Sequence, residues 1–190
     1  DAKSAVPEFQ EAANQRKDWA EAHYWLGNSY FKLQDSQNAV EEFNKAAALS
    51  PNDANIHNNL GLALGEIGKA DEGIAELRKA TRLTPQNADL WVNLGIALNN
   101  NNNTRDACSA FEKASAADPQ NYAARTGLAA IFAAKGEDEK ALAQYEAAAK
   151  IKPEEFIPQY NLGVLYLKEN KFLDSTEAFR AALKTKPDDV

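Results

Sequence analysis

Two histidines, a single cysteine and a run of three acids are the side chains here best suited to chemistry. His23 and His57 stand 34 residues apart, and imidazole is a zinc ligand. Zinc sites take three or four protein ligands, however, and no third candidate stands in register with this pair. No metal is expected, and each ring is expected to be half-buried in a packing slot. Cys108 matches Val40, Ile74 and Leu142 at multiples of 34 residues. It reads as a small packed residue and not as a thiolate nucleophile. Glu137-Asp138-Glu139 falls at a turn and helix start, where carboxylates complement the helix dipole. The glycines occur in Leu-Gly pairs and in turns, with no Gly-rich loop at a helix start to cradle a phosphate. No nucleophile with a base and no pocketed carboxylate pair is present, so neither enzyme activity nor a cofactor is expected.

The elements that hold these residues repeat. Trp91, Leu94-Gly95 and Leu98 fall at helical spacing, followed by a second helix in which Ala107, Phe111 and Ala114 recur at intervals of four and three. Such spacing gives one apolar stripe per helix. The small residues let the two helices approach closely, as a hairpin. The hairpin recurs: Pro51, Pro85, Pro119, Pro153 and Pro187 are each 34 residues apart, in step with Leu26-Gly27, Leu60-Gly61, Leu94-Gly95, Leu128-Ala129 and Leu162-Gly163. Between the helices of each unit, Gly68, Asn102, Gly136 and Asn170 share a position suited to the left-handed residue that closes a helix; Gln34 holds it in the first unit. Pro7 is expected in the first turn of a late-starting N-terminal helix, and Pro158 in the first turn of its own.

A two-helix unit of this length with Trp, Leu-Gly, Ala, Phe and Pro at fixed offsets resembles the tetratricopeptide repeat (TPR). The resemblance implies an all-α solenoid, a right-handed superhelix of about eleven helices forming one array. Five full repeats span 20–53, 54–87, 88–121, 122–155 and 156–189, and residues 1–19 match the second half of another.

In that family the first helix of each repeat lines a concave groove. The residues this implies are Tyr24, Trp25, Asn28 and Phe31, then Asn55, Asn58, Asn59 and Leu62, then Asp89, Val92, Asn93, Ile96 and Asn99. The fourth repeat adds Ala123, Thr126, Ala130 and Ala133, and the fifth Ile157, Tyr160, Asn161, Val164 and Lys168. Asn59, Asn93 and Asn161 share one row, similar to the asparagine ladder of O-GlcNAc transferases, with Gly127 interrupting it and Trp25 replacing it in the first repeat. The basic positions of the cochaperone carboxylate clamp fall on Tyr24, Asp89 and Asn93, so clamp binding is not expected. The thin wall made by Ala123, Gly127, Ala130 and Ala133 predicts a dip for a bulky apolar anchor.

The formal charge of −7 is spread thinly, with no basic repeat, which disfavours nucleic acid. One cysteine excludes an internal disulfide. No apolar run approaches the roughly 20 residues that span a bilayer, so no membrane insertion is expected. A soluble chain results, with the cytoplasm favoured over periplasm or secretion. Methionine is absent, and the chain is expected to be a piece of something longer. Phe9, Phe179 and Leu183 lie on its first and last helices and predict end-to-end self-association. Two functions follow: a non-catalytic scaffold binding a peptide or partner helix in the groove, or the substrate-recruiting arm of a larger enzyme such as a glycosyltransferase.

Overall fold

A computed structural model describes residues 2–185; Asp1 and residues 186–190, which include Pro187, lie outside the described residues. Those described form eleven helices and no strand: α1 (Ala2–Gln15), α2 (Ala20–Lys32), α3 (Ser36–Leu49), α4 (Ala54–Glu66), α5 (Ala70–Leu83), α6 (Ala88–Asn100), α7 (Thr104–Ala117), α8 (Tyr122–Ala134), α9 (Asp138–Ile151), α10 (Phe156–Lys168) and α11 (Phe172–Thr185). None is long and apolar enough to cross a membrane.

The turns explain the regularity. Gln34, Gly68, Asn102, Gly136 and Asn170 all adopt positive φ, between 59° and 80°. Each is followed by an N–H that returns to a carbonyl five residues back: Asp35 to Tyr30, Lys69 to Leu64, Asn103 to Leu98, Glu137 to Phe132 and Lys171 to Tyr166, all at 2.8–2.9 Å. This closure satisfies carbonyls that a helix end leaves bare. Gln34 does the same work without being Gly or Asn, at a steric cost that the same closing bond offsets. Some helix starts are capped by side chains, as where Asp53 accepts from the N–H of Asn55 at 2.8 Å and Asn121 from that of Ala124 at 2.9 Å, while α2, α5, α9 and α10 start without one. Pro158 lies in the first turn of α10, buried. Pro7 does not start its helix: α1 begins at Ala2 and carries Pro7 inside. The residue is exposed, where water can replace the hydrogen bond its missing N–H forfeits.

Close packing gathers the chain into two units, Asp1–Ala107 and Cys108–Val190. In the first, α2 packs on α3 and α4 on α5, while α3 meets α4 and α5 meets α6. Its core includes Leu26, Phe43, Leu60 and Leu77, each no more than 2% exposed. In the second, α8 packs on α9 and α10 on α11, around Leu142, Tyr145, Leu162 and Leu165. The Leu-Gly glycine brings the helices of a pair together. A methyl on Gly27 would lie 2.7 Å from the Phe43 ring, and one on Gly163 would lie 2.7 Å from that of Phe179. In the second repeat Leu77 replaces the ring, and Gly61 and Gly73 meet backbone to backbone: a methyl on Gly73 would stand 2.6 Å from the Gly61 carbonyl oxygen.

Candidate interaction face

The histidines have a partner that their spacing alone does not announce. His23 and His57 are 6% and 5% exposed. Each places Nδ1 2.6 Å from a carboxylate 19 residues on, Oε2 of Glu42 and of Glu76. The expected half-buried rings are therefore fully buried, because a carboxylate satisfies them. The other oxygen of each glutamate is 2.6 Å from a lysine, Lys45 or Lys79. His57 Nε2 also faces the Pro51 carbonyl at 2.8 Å. In the third repeat Trp91 Nε1 donates to the Pro85 carbonyl at 2.8 Å, and in the fourth Arg125 donates to that of Pro119 at 3.2 Å and to Gln144 at 2.9 Å. One slot thus ties the first helix of a repeat to the preceding connector. The residue 19 positions on changes with its occupant: Glu with His, Ala110 with Trp, Gln with Arg. These groups hold the fold. Cys108 is buried, and burial pushes its thiol up from the usual range, away from nucleophilic use.

In the Asp1–Ala107 unit the first helices lie side by side, α2 touching α4 and α4 touching α6; the side that carries Trp25 and the asparagines is named the inner face. Tyr24, Asn28, Phe31, Asn58, Asn59, Leu62 and Asn93 are partly exposed on these helices, and Trp25, Asn55 and Ile96 are exposed. Val92 departs from the expectation: it is 6% exposed, its short branched side chain staying below a surface that Tyr24, at the same repeat position, reaches.

The asparagines pair with one another. Asn93 Nδ2 donates to Asn58 Oδ1 at 2.9 Å, Asn58 Nδ2 to Asn59 Oδ1 at 2.9 Å, and Asn59 Nδ2 to Asn28 Oδ1 at 2.7 Å, with the Tyr24 hydroxyl 3.3 Å from the same amide. The result is an amide chain across three repeats. A carboxamide has two donors and two acceptor lone pairs, so Asn93 Oδ1 and Asn28 Nδ2 end the chain with capacity left. Aromatic rings flank it. Trp25, 51% exposed, meets Tyr24 edge-on at 5.2 Å and stacks with Phe9 at 6.5 Å. Beside Asn93 opens a cavity of about 510 Å³ with Phe31, Leu62 and Ile96 among its walls.

In the Cys108–Val190 unit, Ala123 and Ala130 of α8 are exposed and Thr126 and Ala133 partly so. A methyl at Gly127, which interrupts the asparagine row, would lie 2.7 Å from the Phe111 ring. On α10, Ile157 is 56%, Tyr160 46% and Leu167 50% exposed, with Asn161 and Val164 between them. Asn161 Nδ2 donates back to the Ile157 carbonyl at 2.9 Å. This unit therefore presents apolar side chains beside small ones, where the first presents amides.

Family models described as TPR repeat match residues 27–68 and 129–170, and models described as tetratricopeptide repeat match 76–109, 54–87 and 158–189. The chain belongs to the tetratricopeptide repeat family. No curated protein matches the sequence. Among solved structures this TPR chain resembles YrrB, described as a TPR protein with an unusual peptide-binding site, at 23% identity and a TM-score of 0.76, covering 95% of this chain and 93% of that one. It also resembles PilF of Pseudomonas aeruginosa, at 20% identity and TM-score 0.84 over 98% and 85% of the two chains. For MamA of Desulfovibrio magneticus RS-1 the values are 19% and 0.78, over 90% and 97%. These likenesses show the fold.

Proposed function

We propose that this TPR chain is a non-catalytic interaction scaffold whose inner face captures an extended segment or a helix of another protein. The observation that carries the reading is the composition of that face in the Asp1–Ala107 unit. Exposed Trp25 and Ile96, 51% and 46% accessible, share it with an amide chain and a cavity. Large apolar anchors beside oriented hydrogen-bonding groups are what recognition of a protein segment uses. The likeness to YrrB, itself described by a peptide-binding site, supports the same class of ligand. Because Asn58, Asn59 and Asn93 are engaged with one another, their role is to fix the face as much as to grip a main chain. The test is co-purification followed by identification of the bound segment. Trp25→Asp and Ile96→Asp lose the partner, while Asn44→Asp, at an exposed site on α3, retains it. Retention by all three variants would overturn the reading.

A second copy of the chain is a further proposed partner, docking on α11. Phe172, Leu173 and Leu183 are 60%, 83% and 44% exposed and fall within one stripe about 100° wide. Thr176, exposed in the same stripe, matches buried Val40, Ile74, Cys108 and Leu142, so this face is apolar at its edges and polar at its centre.

A further inference from the structure

Gly65 has no packing reason to be glycine. It lies in the last turn of α4, and a methyl built there meets nothing within 4 Å. Gly61 one turn earlier differs, since its methyl would sit 2.7 Å from Leu77 and 2.8 Å from the Gly73 carbonyl oxygen. Glycine in a helix costs about 1 kcal/mol relative to alanine, so a helical glycine without close neighbours calls for another use. The other repeats hold Phe31, Asn99, Ala133 and Leu167 at this position.

What Gly65 provides is room. It lines the cavity of about 510 Å³, together with Gly61, Gly73 and Leu77, and faces walls that include Phe31 and Ile96. That volume is in the range of ligand sites, which run from about 300 to 1,000 Å³. Glu66 is the one charged residue among those lining it. One of its carboxylate oxygens accepts from the Ser36 hydroxyl, and the side chain is exposed. Asn93, also on the wall, keeps Oδ1 at the end of the amide chain.

We propose that this cavity receives one large apolar side chain, Phe or Leu, of a bound peptide, and that Glu66 selects a Lys or Arg beside it. The proposal rests on the reading that the inner face binds a protein segment, and names which segment fits. Asn93 Oδ1 accepts a backbone N–H next to the anchor. Gly65 sets the depth, since any larger side chain at that position fills the space from within.

The test is titration of the 15N-labelled chain with acetyl-Gly-Ser-Phe-Arg-Ser-Gly-amide and with two counterparts, Phe→Ala and Arg→Glu, followed by amide chemical shifts. The Phe-Arg peptide is expected to move the amides of Gly61, Gly65 and Ile96 and to bind at least about tenfold more tightly than the Ala counterpart. Gly65→Leu abolishes these shifts while circular dichroism shows a folded helix array, and Gly65→Ala, which fills less of the space, weakens them without abolishing them. Glu66→Gln keeps the preference for Phe and removes that for Arg over Glu. Equal binding of the Phe and Ala peptides, unchanged binding by Gly65→Leu, or no movement of these amides with any peptide overturns the pocket. Shifts confined to other inner-face residues, and surviving Gly65→Leu, overturn the pocket and leave the scaffold reading standing.

Discussion

Glu76→Ala removes the carboxylate that meets Nδ1 of His57. The ring is 5% exposed and sits 2.6 Å from Glu76 Oε2, so the change buries a nitrogen with no partner. Such an orphan costs about 1–3 kcal/mol. Glu76 also pairs with Lys79, and breaking that ion pair adds about 0.3–0.5 kcal/mol, since the lysine is 47% exposed and exposed pairs contribute little. The expected destabilisation is about 1.5–3.5 kcal/mol. The third repeat shows how to restore it, because Trp91 donates to the Pro85 carbonyl as His57 Nε2 faces that of Pro51, with Ala110 at the position of Glu76. The double variant His57→Trp, Glu76→Ala copies that arrangement into the second repeat. It is expected to lose less than about 1 kcal/mol, so at least about 0.5 kcal/mol of the single variant's loss is recovered through coupling between neighbouring sites. Urea unfolding followed by circular dichroism measures the whole. Hydrogen exchange of α4 and α5 amides measures the repeat itself, since a repeat array need not unfold in one step. A Glu76→Ala loss under about 0.5 kcal/mol, or a double variant that simply sums its singles, would refute the reasoning.

Glycine substitutions should split by position. Gly65→Ala stabilises by about 0.5–1 kcal/mol, having space and gaining helix propensity, whereas Gly73→Ala destabilises by about 1–3 kcal/mol, its methyl meeting the Gly61 carbonyl oxygen at 2.6 Å; chemical denaturation reads both signs. The Tyr166 phenol is pushed up to about 12 by burial and by the hydroxyl's hydrogen bond to Glu146, 2.7 Å away. Its folded value exceeds the ordinary one of 10.0, so the stability it contributes is full below pH 10 and falls as pH rises toward about 12. Ultraviolet titration should show Tyr166 among the late-ionising tyrosines, beside Tyr122 and Tyr145, whose phenols burial also pushes up, and Glu146→Ala should bring the Tyr166 step earlier. If copies associate through α11, sedimentation at high concentration shows a larger species that Leu183→Glu reduces; a monomer in both chains contradicts that contact.

The 34-residue period locates the helix pairs because proline, Leu-Gly and the left-handed turn position each recur in step, and even Gln34 follows the backbone its neighbours in the repeat dictate. The candidate face is legible as far as it depends on that period: Trp25, Asn59, Ile96 and Tyr160 all lie accessible. What the period hides is pairing between side chains. The His57–Glu76 contact joins two helices of one hairpin, and the link from Asn93 to Asn58 joins two repeats; neither is a matter of helical spacing. The change of Glu to Ala and Gln opposite His, Trp and Arg is the available signal for the first. The alanines of the fourth repeat predict a dip there, while the cavity beside Phe31 and Ile96 is lined by Gly65, whose open surroundings a sequence cannot distinguish from the tight packing of Gly61. Val92 escapes the pattern because period assigns a direction and not a reach.

Site-specific photocrosslinking tests the central claim most directly. A benzophenone amino acid replaces Asn55 or Ile96 on the inner face, or Gln37 or Asn44 on exposed parts of α3, and the source cells are irradiated. Discrete adducts of one partner from Asn55 and Ile96, with none from Gln37 and Asn44, are the predicted result. The same adduct from all four positions, or from the α3 positions alone, would contradict capture on the inner face.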